Sequence, residues 1–417
     1  MEACVEQDTG DAVVYDLLFT NCDVATMAGT EGYGMIEGGA VGVIGGKIAY
    51  VGGFVTSATI KSATCHKDMK GKLLTPGLID CHTHIVYGGD RAEEWEMKIK
   101  GATYEEVAKA GGGIVNTVDG TRTATVDDLV EGAKKRVEAL LKEGVTTLEI
   151  KSGYGLEIES ERKMLLAAKE LSRIYGIAVE KTFLAAHAVP REFEGRPDEY
   201  ITECLKMMET LAGEGLIDCV DAFCESIGFT VEQTTRVFVK AKELNLQVRL
   251  HGDQLNDFGG GELAAKFGAL SCDHCEYAGD EAIQAMSDGK VVAVLLPTAN
   301  YFINETRMPP IDKFRAKKVD IAIATNCNPG SSPCCSLLLV MNMACTRFRM
   351  SPAEALRGVT CNAAKAIGRS GEVGSIEVGK TANLAVWGVG KGGAAELAYY
   401  MGLNQLDSVY VNGNLKK

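Results

Sequence analysis

The tripeptide His82-Thr83-His84 ends an apolar run that begins at Leu73. In an extended strand, residues two apart point to the same face, so both imidazoles can bind one metal ion at the strand's end. An isolated pair of this kind is more often two solvated or packed side chains. The chain has only 6 histidines, however, and all but His66 close a short run of apolar or β-branched residues; these are His82, His84, His187, His251 and His274. This recurrence favours a metal centre built at several strand ends, and hence a metal-dependent hydrolase.

Eight strand-like runs would have to position these histidines. They are Leu73–His84, Gly144–Lys151, Ala178–His187, Cys219–Glu225, Gln247–His251, Ala269–His274, Val291–Thr298 and Asp320–Asn326. Helical patterns lie between them, at Val126–Lys142, Glu159–Ile174, Asp198–Ala212, Val231–Leu244 and Gly260–Phe267. Alternating strands and helices imply right-handed parallel crossovers, and eight such units predict an α/β fold with a closed (β/α)8 barrel of the TIM type. A doubly wound open sheet is the alternative. We favour the barrel because it gathers the strand ends around one axis, whereas an open sheet spreads them out.

The segments that flank the barrel region differ from it in composition. They are rich in glycine and valine, with short β-like runs at Ala40–Ile44, Lys47–Val51, Ala382–Trp387 and Ser408–Val411. Because two of these runs precede the barrel and two follow it, the chain ends can pair with each other. We therefore predict a small β-sandwich domain formed by residues 12–72 and 372–417, and a hydrolase barrel formed by residues 73–371.

Composition narrows the range of partners. With 43 basic and 56 acidic residues, the net charge is −13, which disfavours nucleic acid and anionic membranes. The first residues are acidic and lack the features of a signal peptide, and no apolar run approaches membrane-spanning length, so we expect a cytoplasmic protein. In that compartment the 14 cysteines are expected to be reduced packing residues and not a disulfide framework.

Two segments carry a specific resemblance to a known family. Thr75–His84 resembles the first barrel motif of the amidohydrolase superfamily, and Gly374–Leu384 resembles the segment that returns to its β-domain. Five further stretches, in this order, resemble the branch of that superfamily that opens an imidazolone ring in histidine degradation. They are Tyr87–Ala92, Gly111–Val115, Lys151–Leu156, Ala186–Pro190 and Asn328–Pro333. Cytosine and guanine deaminases resemble the first motif without this set.

The resemblance implies one divalent metal, zinc or iron, bound at His82, His84, His251 and position 326, here Asn326. It also implies that a small carboxylate substrate contacts Arg91, Tyr154, His187, Gln254, Asn328, Gly330 and Ser331. The implied reaction is hydrolysis of the cyclic amide C–N bond of 4-imidazolone-5-propanoate to N-formimidoyl-L-glutamate. The residue types agree, because the Arg91 guanidinium can bind a carboxylate bidentately and Tyr154 can add a hydrogen bond. A homodimer is expected only by analogy with similar barrels.

Two positions depart from the family pattern. The family places an aspartate where this chain has Asn326 and a glutamate where it has Gln254. Three neutral histidines suffice for a catalytic zinc, so metal binding should be weakened and not lost. Proton transfer should suffer more, because amides do not titrate and an absent acid or base typically costs about 10²- to 10⁴-fold in rate. We therefore expect His274 to act as the base, with Gln254 as the second catalytic position. Asp253 is expected either to support a ligand histidine or to cap a loop or helix.

Two other functions stay open at the level of sequence. A catalytically impaired relative could bind the ligand or serve as a structural or regulatory partner, because both departures remove titratable groups. An amidohydrolase for another cyclic amide would need Arg91 and Tyr154 to serve a substrate without a carboxylate. An arginine in the pocket argues against that, so hydrolysis of the imidazolone is the favoured function.

Overall fold

A computed structural model describes residues 14–53, 55–56, 60, 63–102 and 112–416. Gly111 of the glycine motif lies outside it, as do residues 12, 13, 54, 57–59, 61, 62 and 417 of the predicted small domain. The strands are β1 (Leu17–Ala25), β2 (Met35–Ile44), β3 (Lys47–Gly52), β4 (Cys65–Asp68), β5 (Leu73–Pro76), β6 (Leu78–Asp80), β7 (Val145–Lys151), β8 (Ala178–Ala186), β9 (Cys219–Cys224), β10 (Gln247–Val248), β11 (Leu250–Gly252), β12 (Ser271–His274), β13 (Val292–Leu295), β14 (Ile321–Ile323), β15 (Leu384–Trp387), β16 (Leu406–Val411) and β17 (Asn414–Leu415). The α-helices are Ala92–Ile99, Ile114–Thr123, Val126–Lys142, Ile158–Tyr175, Pro197–Gly213, Val231–Glu243, Gly260–Phe267, Asp280–Gly289, Pro297–Phe302, Ile311–Ala316, Leu337–Arg347, Pro352–Gly358, Cys361–Ala366 and Glu396–Tyr399.

Strands β6 to β14 form the barrel. Their order is β6-β7-β8-β9-β11-β12-β13-β14, with the short β10 paired to β9, and every pairing is parallel. The ring closes just beyond β6 and β14, where Thr83 and Cys327 form a parallel bridge and the Asn326 N–H donates to the His82 carbonyl at 3.0 Å. The prediction of a closed barrel in place of an open sheet is confirmed.

The helix Val126–Lys142 shows how local sequence sets an element of the outer ring. Thr125 and Asp128 form a reciprocal capping box at its start, which satisfies backbone N–H groups that have no partner within the helix. Its buried side chains recur every three or four residues and face the barrel: Leu129, Val130, Ala133, Val137 and Leu140. The helix has the bounds that its sequence pattern predicts.

The chain ends form the small domain together, as predicted. Strands from both ends make an eight-stranded sheet within the described residues, in the order β17-β16-β15-β5-β1-β2-β3, with β4 paired to β1. The predicted sandwich is therefore one continuous sheet. It packs on its own apolar cluster, which includes Phe19, Val41, Leu74, Leu384 and Tyr410.

The predicted first barrel strand, Leu73–His84, is divided between the two sheets at Gly77. Residues Leu73–Pro76 pair with β15 and β1 in the small domain, and only Leu78–Asp80 joins the barrel. Both halves are buried, so the apolar run gives no break in the sequence pattern. Gly77 is required at the crossing, since a Cβ there would lie 2.4 Å from the Thr146 side chain. No helix among the described residues is both long and apolar enough to cross a membrane.

Candidate active site

Five of the six histidines meet at the barrel face where the parallel strands end. His82 and His84 follow β6, His187 follows β8, and His251 and His274 lie in β11 and β12. His66 is elsewhere, in β4 of the small domain, where its Nε2 is 2.7 Å from the Thr20 hydroxyl. The four histidines nearest the axis, His82, His84, His251 and His274, are at most 3% exposed. The carboxyl ends of barrel strands are where such folds place their catalytic groups.

The imidazole nitrogens of this cluster converge. One nitrogen each from His82, His251 and His274 lie within 4.8 Å of one another, and the Nε2 atoms of His84 and His251 are 3.3 Å apart. Two nitrogens bound to one tetrahedral zinc at about 2.0–2.1 Å would be separated by roughly 3.3 Å. Four buried ring nitrogens have no hydrogen-bond partner: His82 Nε2 and the Nδ1 atoms of His84, His274 and His251, the last of which lies near the Asp221 carboxylate without hydrogen-bond geometry. The donor set therefore fits a divalent metal ion.

Burial favours the neutral imidazole at His82, His84 and His251. It lowers the pKa of His82 and His84 well below the usual value, with Lys151 adding to the effect at His82 and His187 at His84. Burial also lowers the pKa of His251, against the opposing effect of Asp221. A neutral imidazole has a free lone pair, which is the form that binds a metal.

Two buried aspartates hold two of the histidines by their outer nitrogens. Asp273 Oδ2 lies 2.6 Å from His82 Nδ1, and Asp221 Oδ2 lies 2.9 Å from His251 Nδ1. Each contact leaves Nε2 directed into the cluster, which is the arrangement of carboxylate, histidine and metal found in many metalloproteins. Sequence reasoning missed both aspartates, although acidic residues inside buried strands would have indicated them. Asp253 instead accepts the backbone N–H groups of Phe258, Gly260 and Gly261, so it caps a loop and helix.

Lys151 lies beneath the histidines, with no exposed side-chain surface. Its Nζ is 2.8 Å from Asp221 Oδ2 and 3.0 Å from Glu149 Oε1. Burial acts to lower the pKa of Lys151, but Asp221 and Glu149 outweigh it and the net shift is upward. Arg249 Nη1 lies 3.1 Å from the same Glu149 oxygen. These charges form one desolvated network that sequence reasoning did not identify.

Tyr154 and His187 line the site beside His84. The His187 ring stacks on that of His84, with centroids 5.2 Å apart, and its Nδ1 is 2.9 Å from the Gly153 carbonyl oxygen. The Tyr154 ring lies 5.8 Å from His84 and 5.4 Å from His187. Both predicted substrate contacts therefore stand next to the candidate metal ligands.

Arg91 is more constrained than its sequence context suggests. Its Nε and Nη2 donate to the two oxygens of Glu94 at 2.7 and 2.5 Å, so one bidentate edge of the guanidinium is already occupied. The edge formed by Nη1 and the second N–H of Nη2 remains for a ligand. Nη1 faces Gly330, where a Cβ would lie only 2.1 Å away. Glycine at 330 thus makes room for Arg91.

The loop after β14 is shaped by Asn328. Its Oδ1 accepts from the backbone N–H groups of Gly330 and Ser331, both at 2.8 Å, while its Nδ2 donates to the Asn326 carbonyl at 2.7 Å and to the Ser331 hydroxyl at 2.9 Å. The predicted contacts Asn328, Gly330 and Ser331 are therefore brought together, but the Asn328 amide is engaged within the loop. Half-buried Gln254 makes no side-chain hydrogen bond with any residue in the described part of the chain, which leaves its amide available.

Several residues at the site have left-handed backbone. The φ angle is +86° at His274, +62° at Cys275, +53° at Asp253 and +52° at Asn326. Non-glycine residues adopt such angles rarely, at a cost of order 1–3 kcal/mol, and they cluster where the surroundings hold a functional side chain in place. Asparagine tolerates this region better than most residues.

Comparisons with known proteins agree with this geometry. The profile of the "Amidohydrolase family" matches residues 73–416. An imidazolonepropionase of Ruegeria sp. (strain TM1040) is 51% identical over 394 residues, covering 94% of this chain and 96% of the relative. An imidazolonepropionase of Methylobacterium sp. (strain 4-46) is 52% identical over 393 residues, covering 94% and 97%.

Two solved structures share the fold at low sequence identity. A triazine hydrolase variant has a TM-score of 0.76 at 18% identity, covering 96% of this chain and 94% of its own. An adenosine deaminase from Xanthomonas campestris with bound zinc has a TM-score of 0.71 at 18% identity, covering 96% and 93%.

Proposed function

Because the chain belongs to the amidohydrolase family, and within it to the imidazolonepropionases, we propose that the histidine cluster serves to hydrolyse 4-imidazolone-5-propanoate to N-formimidoyl-L-glutamate, a step of histidine degradation. The observation that carries the proposal is the convergence of four buried histidines in a chain 51% identical to an imidazolonepropionase over 94% of its length. Buried nitrogens without partners cost folding free energy, which argues against a purely structural relative.

In this proposal His82, His84 and His251 hold one divalent metal ion, zinc or iron, and Asn326 is at most a weak fourth ligand. A metal in this position supplies Lewis-acid activation of water and of the ring carbonyl. Asp273 and Asp221 keep two of these imidazoles oriented with Nε2 inward. The amidohydrolase family is metal-dependent, and the unpartnered His82 Nε2 and the facing Nε2 atoms of His84 and His251 support this choice of ligands.

The remaining pocket residues bind and orient the substrate. The free edge of Arg91 binds the propanoate carboxylate, and the Tyr154 hydroxyl donates a hydrogen bond to it or to the ring. His187 lies parallel to His84 and limits where the imidazolone ring can lie. The loop built on Asn328 presents Gly330 and Ser331 on the side of Arg91.

His274 carries the proton transfers, and Gln254 orients the ring. His274 accepts a proton from the attacking water and returns it to the ring nitrogen as the C–N bond breaks. Its Nδ1 lies 3.8 Å from Glu276 Oε2, a carboxylate that stabilises the imidazolium formed in between. Gln254 cannot titrate, so its amide orients the ring by hydrogen bonding.

The direct test is turnover of 4-imidazolone-5-propanoate, with product measured by mass spectrometry and metal measured in the same samples. We expect activity that is lost on chelation and restored by zinc or iron. His84→Ala should abolish turnover and lower metal content. His66→Ala is the matched control, because it removes a histidine from the small domain and should leave both unchanged.

Two results would contradict the proposal. Turnover that is unaffected by chelation would refute the metal role of the cluster. Equal turnover of the substrate and of an analogue with its carboxylate replaced by an uncharged amide would refute the role of Arg91, since a site built to pair a charge rejects its neutral isostere.

A further inference from the structure

A single ammonium group connects the two carboxylates that orient candidate metal ligands. We propose that Lys151 is a positioning residue of the metal centre, which fixes Asp221 and Asp273 so that His251 and His82 present their Nε2 atoms together. The inference rests on the proposed metal site and adds a residue that contacts neither metal nor substrate.

The contacts form a continuous chain through the barrel interior. His82 Nδ1 is 2.6 Å from Asp273 Oδ2, which is 3.8 Å from Lys151 Nζ. On the other side, Nζ is 2.8 Å from Asp221 Oδ2, which is 2.9 Å from His251 Nδ1. In each aspartate the oxygen that meets the histidine is therefore also the one nearest the ammonium.

The second oxygen of each aspartate is held by its own surroundings. Asp221 Oδ1 accepts the backbone N–H groups of Ala222 at 2.7 Å and His251 at 3.1 Å. Asp273 Oδ1 accepts the Ser271 hydroxyl at 2.5 Å. These contacts do not fix the Oδ2 atom of either aspartate. Among the described residues, Lys151 is the cation that contacts Oδ2 of both Asp221 and Asp273.

Charge balance gives the reason for a lysine at this position. The network holds three buried carboxylates, on Glu149, Asp221 and Asp273, against Lys151 and Arg249. Arg249 is engaged elsewhere, since its Nη1 is shared between Glu149 and the Cys81 carbonyl and its Nη2 donates to the Ala366 carbonyl. Without Lys151 the three buried carboxylates would be balanced by Arg249 alone, and their mutual repulsion would favour a rearrangement of the two aspartates. Such a rearrangement would disturb the contact of each aspartate with its ligand histidine.

Lys151 also anchors the histidine segment through its backbone. Its N–H donates to the Thr83 carbonyl at 2.9 Å, and Thr83 N–H donates to Glu149 Oε2 at 3.0 Å. Thr83 lies between His82 and His84, so the residue that bears the ammonium and the segment that bears two ligands are joined directly. The end of β7 therefore supports the site twice, through the Lys151 ammonium and through the Lys151 backbone.

The test is metal affinity of the apo-protein for Zn²⁺, measured by chelator competition without substrate, together with the absorption spectrum of the Co²⁺-loaded form. Lys151→Met keeps most of the side-chain length and removes the charge. We expect its Zn²⁺ affinity to fall about 10- to 100-fold, as for other groups that orient metal ligands, and the Co²⁺ bands to change in position or intensity. Circular dichroism and thermal unfolding of the apo-protein report whether the fold is retained.

Lys181→Met is the matched control. Lys181, in the neighbouring strand β8, also pairs with a carboxylate, that of Asp218, but this pair is partly exposed and lies outside the contacts that lead to His82 and His251. The variant should lose its ion pair while Zn²⁺ affinity and the Co²⁺ spectrum stay as in wild type. If Lys151→Met does not fold, Asp273→Asn provides the second variant. The same loss of affinity is expected, because a neutral amide oxygen at position 273 is a weaker acceptor for His82 Nδ1 than the carboxylate.

The outcomes separate this inference from the proposed function. Wild-type Zn²⁺ affinity in a folded Lys151→Met protein, or in Asp273→Asn, overturns the positioning role and leaves the proposed reaction untouched. Metal binding by the wild type without turnover refutes the reaction, while the affinity of Lys151→Met still decides the role of Lys151.

Discussion

Asn326→Asp is expected to increase turnover, because it restores a titratable group beside the histidine cluster without changing side-chain size. The backbone at 326 is fixed on both sides, by its N–H to the His82 carbonyl at 3.0 Å and by its carbonyl to Asn328 Nδ2 at 2.7 Å. Its φ of +52° suits asparagine and aspartate better than most residues, so the substitution should fold. The new carboxylate should therefore occupy the position of the amide.

The size of the increase follows from what the site already contains. A positioned acid or base is worth about 10²- to 10⁴-fold, but His274 already supplies one base, so the gain should lie at or below the lower end of that range. We expect kcat to rise about 10- to 100-fold, which corresponds to roughly 1.4–2.7 kcal/mol of activation free energy. Adding Gln254→Glu in the same protein should raise it further, since the second departure from the family pattern is also reversed.

The assay is kcat and KM for 4-imidazolone-5-propanoate at equal metal occupancy, so that better metal binding is not mistaken for faster proton transfer. Asn328→Asp is the matched control, two residues along the same loop. There the loss of Nδ2 removes the bonds to the Asn326 carbonyl and Ser331, so turnover should fall. Equal or lower kcat for Asn326→Asp at full metal occupancy would show that the missing carboxylate does not limit the reaction.

Three further predictions concern single residues. His274→Ala should lower kcat at least 10²-fold with metal content unchanged if the imidazole is the base; loss of metal on purification would identify it as a ligand instead. Gly330→Ala should raise KM about 10-fold or more with a smaller effect on kcat, because the added methyl would meet Arg91 Nη1 at 2.1 Å; an unchanged KM would remove Arg91 from carboxylate binding. Burial and the nearby Asp218 raise the pKa of Glu180 to about 7, so the folded state binds this proton more tightly than the unfolded chain does. Its contribution to the free energy of unfolding is therefore present below about pH 4.5 and lost as the pH rises to about 7. Glu180→Gln should remove that slope and stabilise the protein by about 1–2 kcal/mol at pH 8, as measured by urea unfolding between pH 4 and 8; identical pH profiles would refute the assignment.

Local pattern predicted the elements well where one face of each is buried. The helix Val126–Lys142 was predictable to the residue because its capping box and its apolar spacing are both local properties. The run Leu73–His84 was not, since a strand buried in either sheet has the same apolar composition and only the contact of Gly77 with Thr146 shows where it changes sheets.

The candidate site shows the same division between local and long-range information. A histidine at the end of an apolar run is visible in sequence, and four of the five that were singled out this way lie together in the cluster, with His187 stacked beside it. The partners of Arg91 were not visible, because a guanidinium near a glycine turn has the same local pattern whether its edge faces Glu94 or a ligand.

The alternation of strands and helices and the residues at the strand ends follow from local sequence, because the 2-residue and 3.6-residue periods of burial are local properties. Which charged groups meet depends on the folded barrel. His82 and Asp273 are 191 positions apart, and Lys151 and Asp221 are 70 apart, yet closure of the barrel places them in one buried network. Such contacts depend on the order and stagger of strands around the axis, and no local pattern records either.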